Sequence, residues 1–304
     1  MSLSFISGVG SVDLGVTDLQ KSKAFYTGIW LLDLVCETKD SVYLRGAGTN
    51  HHILALHQNP VAEALRVNLT ARSRESVDRV REAAQKRGCS FVSKPAELNE
   101  PGGGYAVTFK DMEGRVFRVI HGVEQLAEKL SDPDQPEALT HVAINSPQRE
   151  ELAQFYCDVL NMRVIDRTKV MTFVCAGPDH HCLAIAGYPN DTLNHLAFET
   201  RDVDAVMRGG GRLKEKGIPI EWGVGRHGPG NNIFAYFLGP DEEIIEYTAD
   251  VSKVDQTYRV GTPEDWVWPD GRNDHWGLNS GPSARYKASQ SKIRFAEKIF
   301  QLPT

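Results

Sequence analysis

The chain is short of cysteine, of clustered positive charge and of long apolar runs. Its five cysteines, Cys36, Cys89, Cys157, Cys175 and Cys182, are odd in number and show no CxxC spacing. They read as reduced thiols of a cytoplasmic protein, most of them packed as small apolar residues. Lys and Arg total 34 against 40 Asp and Glu, and no basic block occurs. That balance argues against nucleic acid or an anionic membrane surface as partner. No apolar run approaches membrane-spanning length, and the N-terminus lacks a signal-peptide pattern, so a cytoplasmic location is expected. What is present is ample core material. At 304 residues and 41% apolar content, the chain fits two domains with an appendage.

A restart in the pattern sets the organisation. The first stretch, Val12 to Gly28, reads as strand, cap at Thr17 or Asp18, then helix. Strand-like runs follow at 41–45 and 51–56. Leu65–Ala71 opens a second unit, with an amphipathic helix from Ser76 to Gly88 and strands at 105–109 and 116–120. Residues 123–138 are polar and hold Ser131-Asp-Pro-Asp-Gln-Pro, a linker signal. After that the motifs recur. Thr140-His-Val-Ala-Ile-Asn follows Val12-Asp-Leu-Gly-Val-Thr, Gln154-Phe-Tyr follows Ala24-Phe-Tyr, and His180-His-Cys-Leu-Ala-Ile follows His51-His-Ile-Leu-Ala-Leu. Asp13 to His141 and Phe109 to Phe237 both span 128 residues. Such self-similarity signals duplication. The expected architecture is α+β, with an N-terminal domain over 1–122, a linker over 123–138, a second domain over 139–250 and an extension over 251–304. Each domain is expected to be a pair of strand–helix–three-strand modules.

Chemistry concentrates in the second half. A Gly/Pro loop after Arg226 leads into a strand, a turn at Gly239-Pro240-Asp241 and a second strand ending Ile244-Ile-Glu-Tyr. A carboxylate after two isoleucines is costly to bury unless it is paired or bound to a metal. Aligning the motifs of the two halves sets Asp13 opposite His141, Asn68 opposite His195 and Arg118 opposite Glu246. Only the second half therefore carries two histidines and a carboxylate. His141, His195 and Glu246 on three strands fit the 2-His-1-carboxylate set that binds non-haem Fe(II) or Mn(II) and leaves adjacent positions open.

Several stretches together carry a family resemblance: Thr140-His141-Val-Ala, His180-His181-x-Leu-Ala, Leu193-Asn-His195, Gly225-Arg-His227-Gly, Tyr236 and Ile245-Glu246-Tyr247. Over residues 8–250 the chain resembles the type I extradiol ring-cleaving dioxygenases of the vicinal oxygen chelate superfamily. The resemblance implies the glyoxalase-like fold of paired βαβββ modules and Fe(II), with Mn(II) as the alternative, held by His141, His195 and Glu246. It implies catechol and O₂ as substrates, giving a muconic semialdehyde-type product, and a homo-oligomer. It gives His181 the role of acid toward reduced oxygen, and Tyr236 and His227 contacts to the substrate oxygens. His180, after Pro178-Asp179, is expected to face solvent. The segment Asp270-Gly-Arg-Asn-Asp-His-Trp resembles the C-terminal extension of homoprotocatechuate 2,3-dioxygenases, which makes Arg272 a candidate for meeting a substrate carboxylate. The alternatives are a metal-dependent, glyoxalase-like isomerase and a non-catalytic aromatic-binding module on the same fold. The first would need more metal-ligating carboxylates, and the second would need none of these polar groups.

Overall fold

The computed structural model describes residues 3–129 and 132–300. Four copies of one unit make up most of it. The first is β1 (Ile6–Val16), α1 (Leu19–Gly28), β2 (Asp33–Glu37), β3 (Ser41–Arg45) and β4 (Leu54–Gln58). The second is β5 (Glu63–Ala71), α2 (Arg74–Arg87), β6 (Ala96–Glu97), β7 (Tyr105–Lys110) and β8 (Val116–His121). The third is β9 (Ala138–Ser146), α3 (Arg149–Leu160), β10 (Arg163–Arg167), β11 (Met171–Cys175) and β12 (Leu183–Gly187). The fourth is β13 (Leu193–Glu199), α4 (Val203–Glu215), β14 (Trp222–Arg226), β15 (Ile233–Leu238) and β16 (Ile244–Ala249). The tail adds α5 (Ala284–Ser289) and β17 (Arg294–Phe295). This is the expected α+β fold of βαβββ modules.

Local chemistry explains the helix ends. The Asp18, Ser73 and Asp202 side chains accept backbone N–H groups of Lys21, Ser76 and Ala205, and so cap α1, α2 and α4. Helix α2 therefore starts two residues before the expected Ser76, which is the recipient of the cap. Gly88, in the left-handed region at φ 78°, stops it.

The two sheets have the same order, β2-β3-β4-β1-β5-β8-β7-β6 and β10-β11-β12-β9-β13-β16-β15-β14. In each, a parallel crossover pair flanks the central antiparallel pair, β1/β5 or β9/β13. The central strands are nearly continuously buried. Trp30, after α1, joins the halves. It is fully buried, stacks on Tyr247 at 3.8 Å between centroids and meets the Phe198 and Phe237 rings edge-on at 5.4 and 5.8 Å.

The polar bridge over 123–138 is tied down, although residues 130 and 131 lie outside the described residues. The Pro136 and Glu137 carbonyls accept the Ala47 and Gly48 N–H groups, and Arg208 Nε donates to Asp134 at 2.6 Å. From the tail, β17 pairs with β5 in the first sheet. Among the described residues, no helix is long and apolar enough to cross a membrane.

Candidate metal centre

Strand register assembles the site. Ala197 on β13 pairs with His141 on β9 and with Glu246 on the other neighbour, β16. His195 lies two residues before Ala197, on the same face. The three side chains are buried and converge: His141 Nε2 and His195 Nε2 are 3.1 Å apart, and each is 3.3 Å from Glu246 Oε2. Three atoms about 2 Å from one ion make edges of this size.

Hydrogen bonds fix what those atoms offer. The Asn194 amide nitrogen donates to Asn145 Oδ1, so its oxygen faces His195 Nδ1 at 2.8 Å and accepts from it. Thr140 Oγ1 donates to the Ala197 carbonyl at 3.4 Å, leaving the hydroxyl oxygen to accept from His141 Nδ1 at 3.0 Å. Both imidazoles therefore present Nε2 lone pairs to each other. Glu246 Oε1 accepts from Asn232, while Oε2 is buried without a hydrogen-bond partner. Two facing lone pairs and an orphaned carboxylate oxygen are unfavourable without a cation between them and are a fitting donor set with one. The residues present fit a divalent metal ion. Burial holds His195 below the ordinary histidine pKa, which keeps it a neutral donor.

The remaining predicted residues surround one side of this centre. His181 is buried, with its ring 4.3 Å from that of His141. Burial, reinforced by the neighbouring histidines, pushes it well below its usual pKa. His227 Nε2 lies 3.0 Å from Tyr236 Oη. Burial lowers His227 to about 4 and raises Tyr236 well above 10. All three residues line a cavity of about 580 Å³ with His141, His195, Phe173 and Trp222. Arg272 lines it too but is exposed, its Nε donating to the Asp274 carbonyl at 3.0 Å. Trp266, Trp268 and Tyr286 bring the tail into the wall. Above His181 the loop passes so close that a Cβ on Gly230, at φ 77°, would sit 3.2 Å from the imidazole.

Two sequence readings need correction. His180 does not face solvent. It is fully buried, with Nε2 2.7 Å from Asp166 Oδ2 and Nδ1 3.0 Å from His181 Nδ1. A Pro-Asp lead-in looks like an exposed turn, but His180 N–H is tied to the Ser252 carbonyl under the tail. The alignment of the halves also slips. β12 pairs Leu183 with Val142 where β4 pairs Leu54 with Val12, and β13/β16 pairs Ala197 with Glu246 where β5/β8 pairs Asn68 with Arg118. The true counterparts of His141, His195 and Glu246 are therefore Ser11, Arg66 and Arg118. Strand alternation survives a slide of two residues, so the sequence pattern alone did not register it. The first half holds guanidinium groups here: Arg66 pairs with Asp13 at 3.0 Å and Arg118 with Glu100 at 2.6 Å.

Sequence reasoning also missed Asn194, Asn232 and Asp166. Asn194 adjoins His195 and could have been noticed, whereas Asn232 and Asp166 reach their partners only through the fold.

The pattern of the Glyoxalase/Bleomycin resistance protein/Dioxygenase superfamily matches residues 8–119 and 138–247. The chain belongs to that superfamily. Metapyrocatechase 2 of Cupriavidus necator is 34% identical over 139 residues, which are 45% of this chain and 41% of that protein. The chain thus matches about two-fifths of that relative's length. The manganese-dependent 2,3-dihydroxybiphenyl 1,2-dioxygenase of Geobacillus genomosp. 3 is 26% identical over 77% of this chain and 82% of its own. Among solved structures, a Mn(II)-bound glyoxalase from Novosphingobium aromaticivorans superposes with a TM-score of 0.87 at 34% identity, covering 93% of this chain and 94% of its own.

Proposed function

We propose that this protein is an extradiol dioxygenase that opens a substituted catechol beside its two hydroxyls, using O₂ and Fe(II), with Mn(II) as the alternative ion. One observation carries the reading most. The triangle formed by His141 Nε2, His195 Nε2 and the orphaned Glu246 Oε2 adjoins an aromatic-walled cavity lined by His181, His227 and Tyr236. When bound there, the ion supplies chelation of both catechol oxygens, a lowered pKa for one of them and a path for electrons from ring to O₂. The relatives' names point the same way.

The chain's own residues would do the rest. Phe173 and Trp222 give the cavity aromatic walls suited to a planar ring. The Trp222 indole stacks on Tyr236 at 5.1 Å and holds the phenol against the site. Tyr236 Oη, anchored on His227 Nε2, offers one hydrogen bond to a substrate oxygen, and His227 stays neutral at working pH to receive a proton. His181, neutral and beside His141, would take a proton from the substrate and then pass it to reduced oxygen. Arg272 at the mouth can meet a ring substituent that carries a carboxylate. We expect the chain to assemble as a homo-oligomer, which light scattering reads.

The glyoxalase-named structure favours a second reading, a metal-dependent isomerase. Against it, the assembled donor set has one carboxylate, and the equivalent first-half position is Arg118. The deciding experiment is anaerobic loading with Fe(II) or Mn(II), then substituted catechols with and without O₂. Expected is a yellow ring-opened product with one O₂ consumed per ring. No cleavage of any catechol, with a hemithioacetal isomerised in the absence of O₂, would overturn the proposal.

A further inference from the structure

His180 and Asp166 play no part in the reading above, yet they form the best-satisfied buried polar chain next to the site. Asp166 is wholly buried on β10, where a bulge between Val164 and Asp166 turns it inward. Three donors converge on it. Gly261 N–H reaches Oδ1 at 2.6 Å, and His180 Nε2 and Tyr258 Oη reach Oδ2 at 2.7 and 3.0 Å. A carboxylate so surrounded only accepts, so His180 carries its hydrogen on Nε2. One hydrogen lies between His180 Nδ1 and His181 Nδ1, 3.0 Å apart, and with His180 donating its own hydrogen to Asp166 we assign this one to His181. His181 is left with an unprotonated Nε2 for the cavity that it lines.

We propose that Asp166 and His180 are positioning residues that fix the ring orientation and tautomer of His181, so that it meets the substrate as a proton acceptor at Nε2 and only afterwards serves as an acid. The inference rests on the role given to His181 under the proposed dioxygenase activity. The first half supplies an internal control. His51 and His52 keep the same Nδ1···Nδ1 contact at 3.0 Å. Cys36 pairs with Tyr43 where Asp166 pairs with Phe173, so the carboxylate is missing from the half that lacks the metal ligands. The nearest acid there, Glu124, lies 3.9 Å from His51 and is exposed. The histidine pair is thus common to the fold, and the buried acid behind it belongs to the candidate active half. Tyr258 and Gly261 belong to the tail, which thereby holds the far end of the chain of hydrogen bonds.

Asp166→Asn tests this directly. The Asn oxygen must stay on Gly261 N–H, which cannot accept, so the amide N–H₂ turns to His180 Nε2. His180 then donates through Nδ1, and His181 must carry its hydrogen on Nε2. The measurement is a long-range ¹H–¹⁵N correlation on full-length, Zn(II)-loaded protein with ¹⁵N-histidine, its His181 signals assigned by their loss in His181→Ala. It is paired with metal content, anaerobic catechol affinity and kcat on the Fe(II) or Mn(II) form. Expected are the Nδ1–H tautomer in the parent and Nε2–H in Asp166→Asn. Metal content and affinity should stay within about threefold, and kcat should fall about 10²-fold or more. A parent His181 already protonated at Nε2 overturns the proposal, even if the variant does not fold. So does an unchanged tautomer in Asp166→Asn, or equal losses of affinity and kcat. If the tautomers behave as expected but the parent cleaves no catechol, the positioning chain stands and the dioxygenase reading falls.

Discussion

Replacing Glu246 by Gln should reverse its effect on stability according to whether metal is present. Glu246 is fully buried, and its Oε2 has no hydrogen-bond partner while two imidazole Nε2 atoms lie 3.3 Å away. With Nδ1–H of both rings given to Thr140 and Asn194, those nitrogens bring lone pairs rather than hydrogens. In metal-free protein the carboxylate oxygen is thus buried among acceptors, a situation that costs about 1–3 kcal/mol, more when charged. A Gln amide would donate to the same lone pairs. Metal-free Glu246→Gln should therefore be more stable than the metal-free parent by about 1–3 kcal/mol, an upward Tm shift of a few degrees for a chain of this size. Metal restores the opposite order. An ion present at a hundredfold excess over its Kd stabilises the parent by about 2.7 kcal/mol. The variant, without an anionic ligand, gains little of this. Thermal melts of both proteins at about pH 8, in chelator and in Mn(II), read the reversal, and that pH keeps the lowered His195 neutral. If Glu246→Gln is destabilised as much in chelator as in Mn(II), the carboxylate serves the fold, and the metal assignment of this triangle is wrong.

Three further outcomes are expected. His181→Ala should keep its metal and bind catechol nearly as tightly under anaerobic conditions, yet lose turnover by ~10²–10⁴-fold; loss of the metal would instead make His181 a ligand. Arg272→Ala should lower kcat/KM for 3,4-dihydroxyphenylacetate about tenfold and leave unsubstituted catechol unchanged, as befits one exposed charged contact; equal losses for both would remove the carboxylate role. Trp30→Ala should destabilise the fold by about 3–5 kcal/mol in denaturant titration. Trp30→Phe should cost much less, because the buried indole Nε1 has no partner to lose; similar costs for both would contradict the packing account.

The legible parts of this protein were those written in alternation and in local cap chemistry. Strand–helix–strand order, the restart near residue 140 and a carboxylate closing an isoleucine run are all read within a dozen residues. The illegible parts were set by register and by distance. A slide of two residues leaves every inward position inward, so Asp13 and Asn68 looked opposite the histidines until the strand pairs placed Ser11 and Arg66 there. Asp166 lies 14 residues before His180 and reaches it through a bulge, and nothing local marks it. His180 looked exposed because the tail that buries it begins some 70 residues later, with Ser252.

The corrected register also changes what the duplication means. Each half brings carboxylates up to its central strand pair, Asp13 and Glu100 in the first and Glu246 in the second, and both need positive charge there. The first half carries its cations covalently: Arg66 and Arg118 satisfy Asp13 and Glu100. A guanidinium cannot leave, so that half is complete as folded, with Asp13 Oδ1 and Oδ2 both accepting hydrogen bonds. The second half puts His195 where Arg66 stands and Glu246 itself where Arg118 stands, and leaves Glu246 Oε2 without a partner. On the proposed reading its missing charge comes from solution, as a divalent ion. Under that proposal, one sheet design gives a closed structural centre in one half and, with the cation made exchangeable, a centre open to ligands in the other. The asymmetry also makes a control: Arg66→Met should cost stability alike in chelator and in Mn(II), because the charge it removes is one that no added ion replaces.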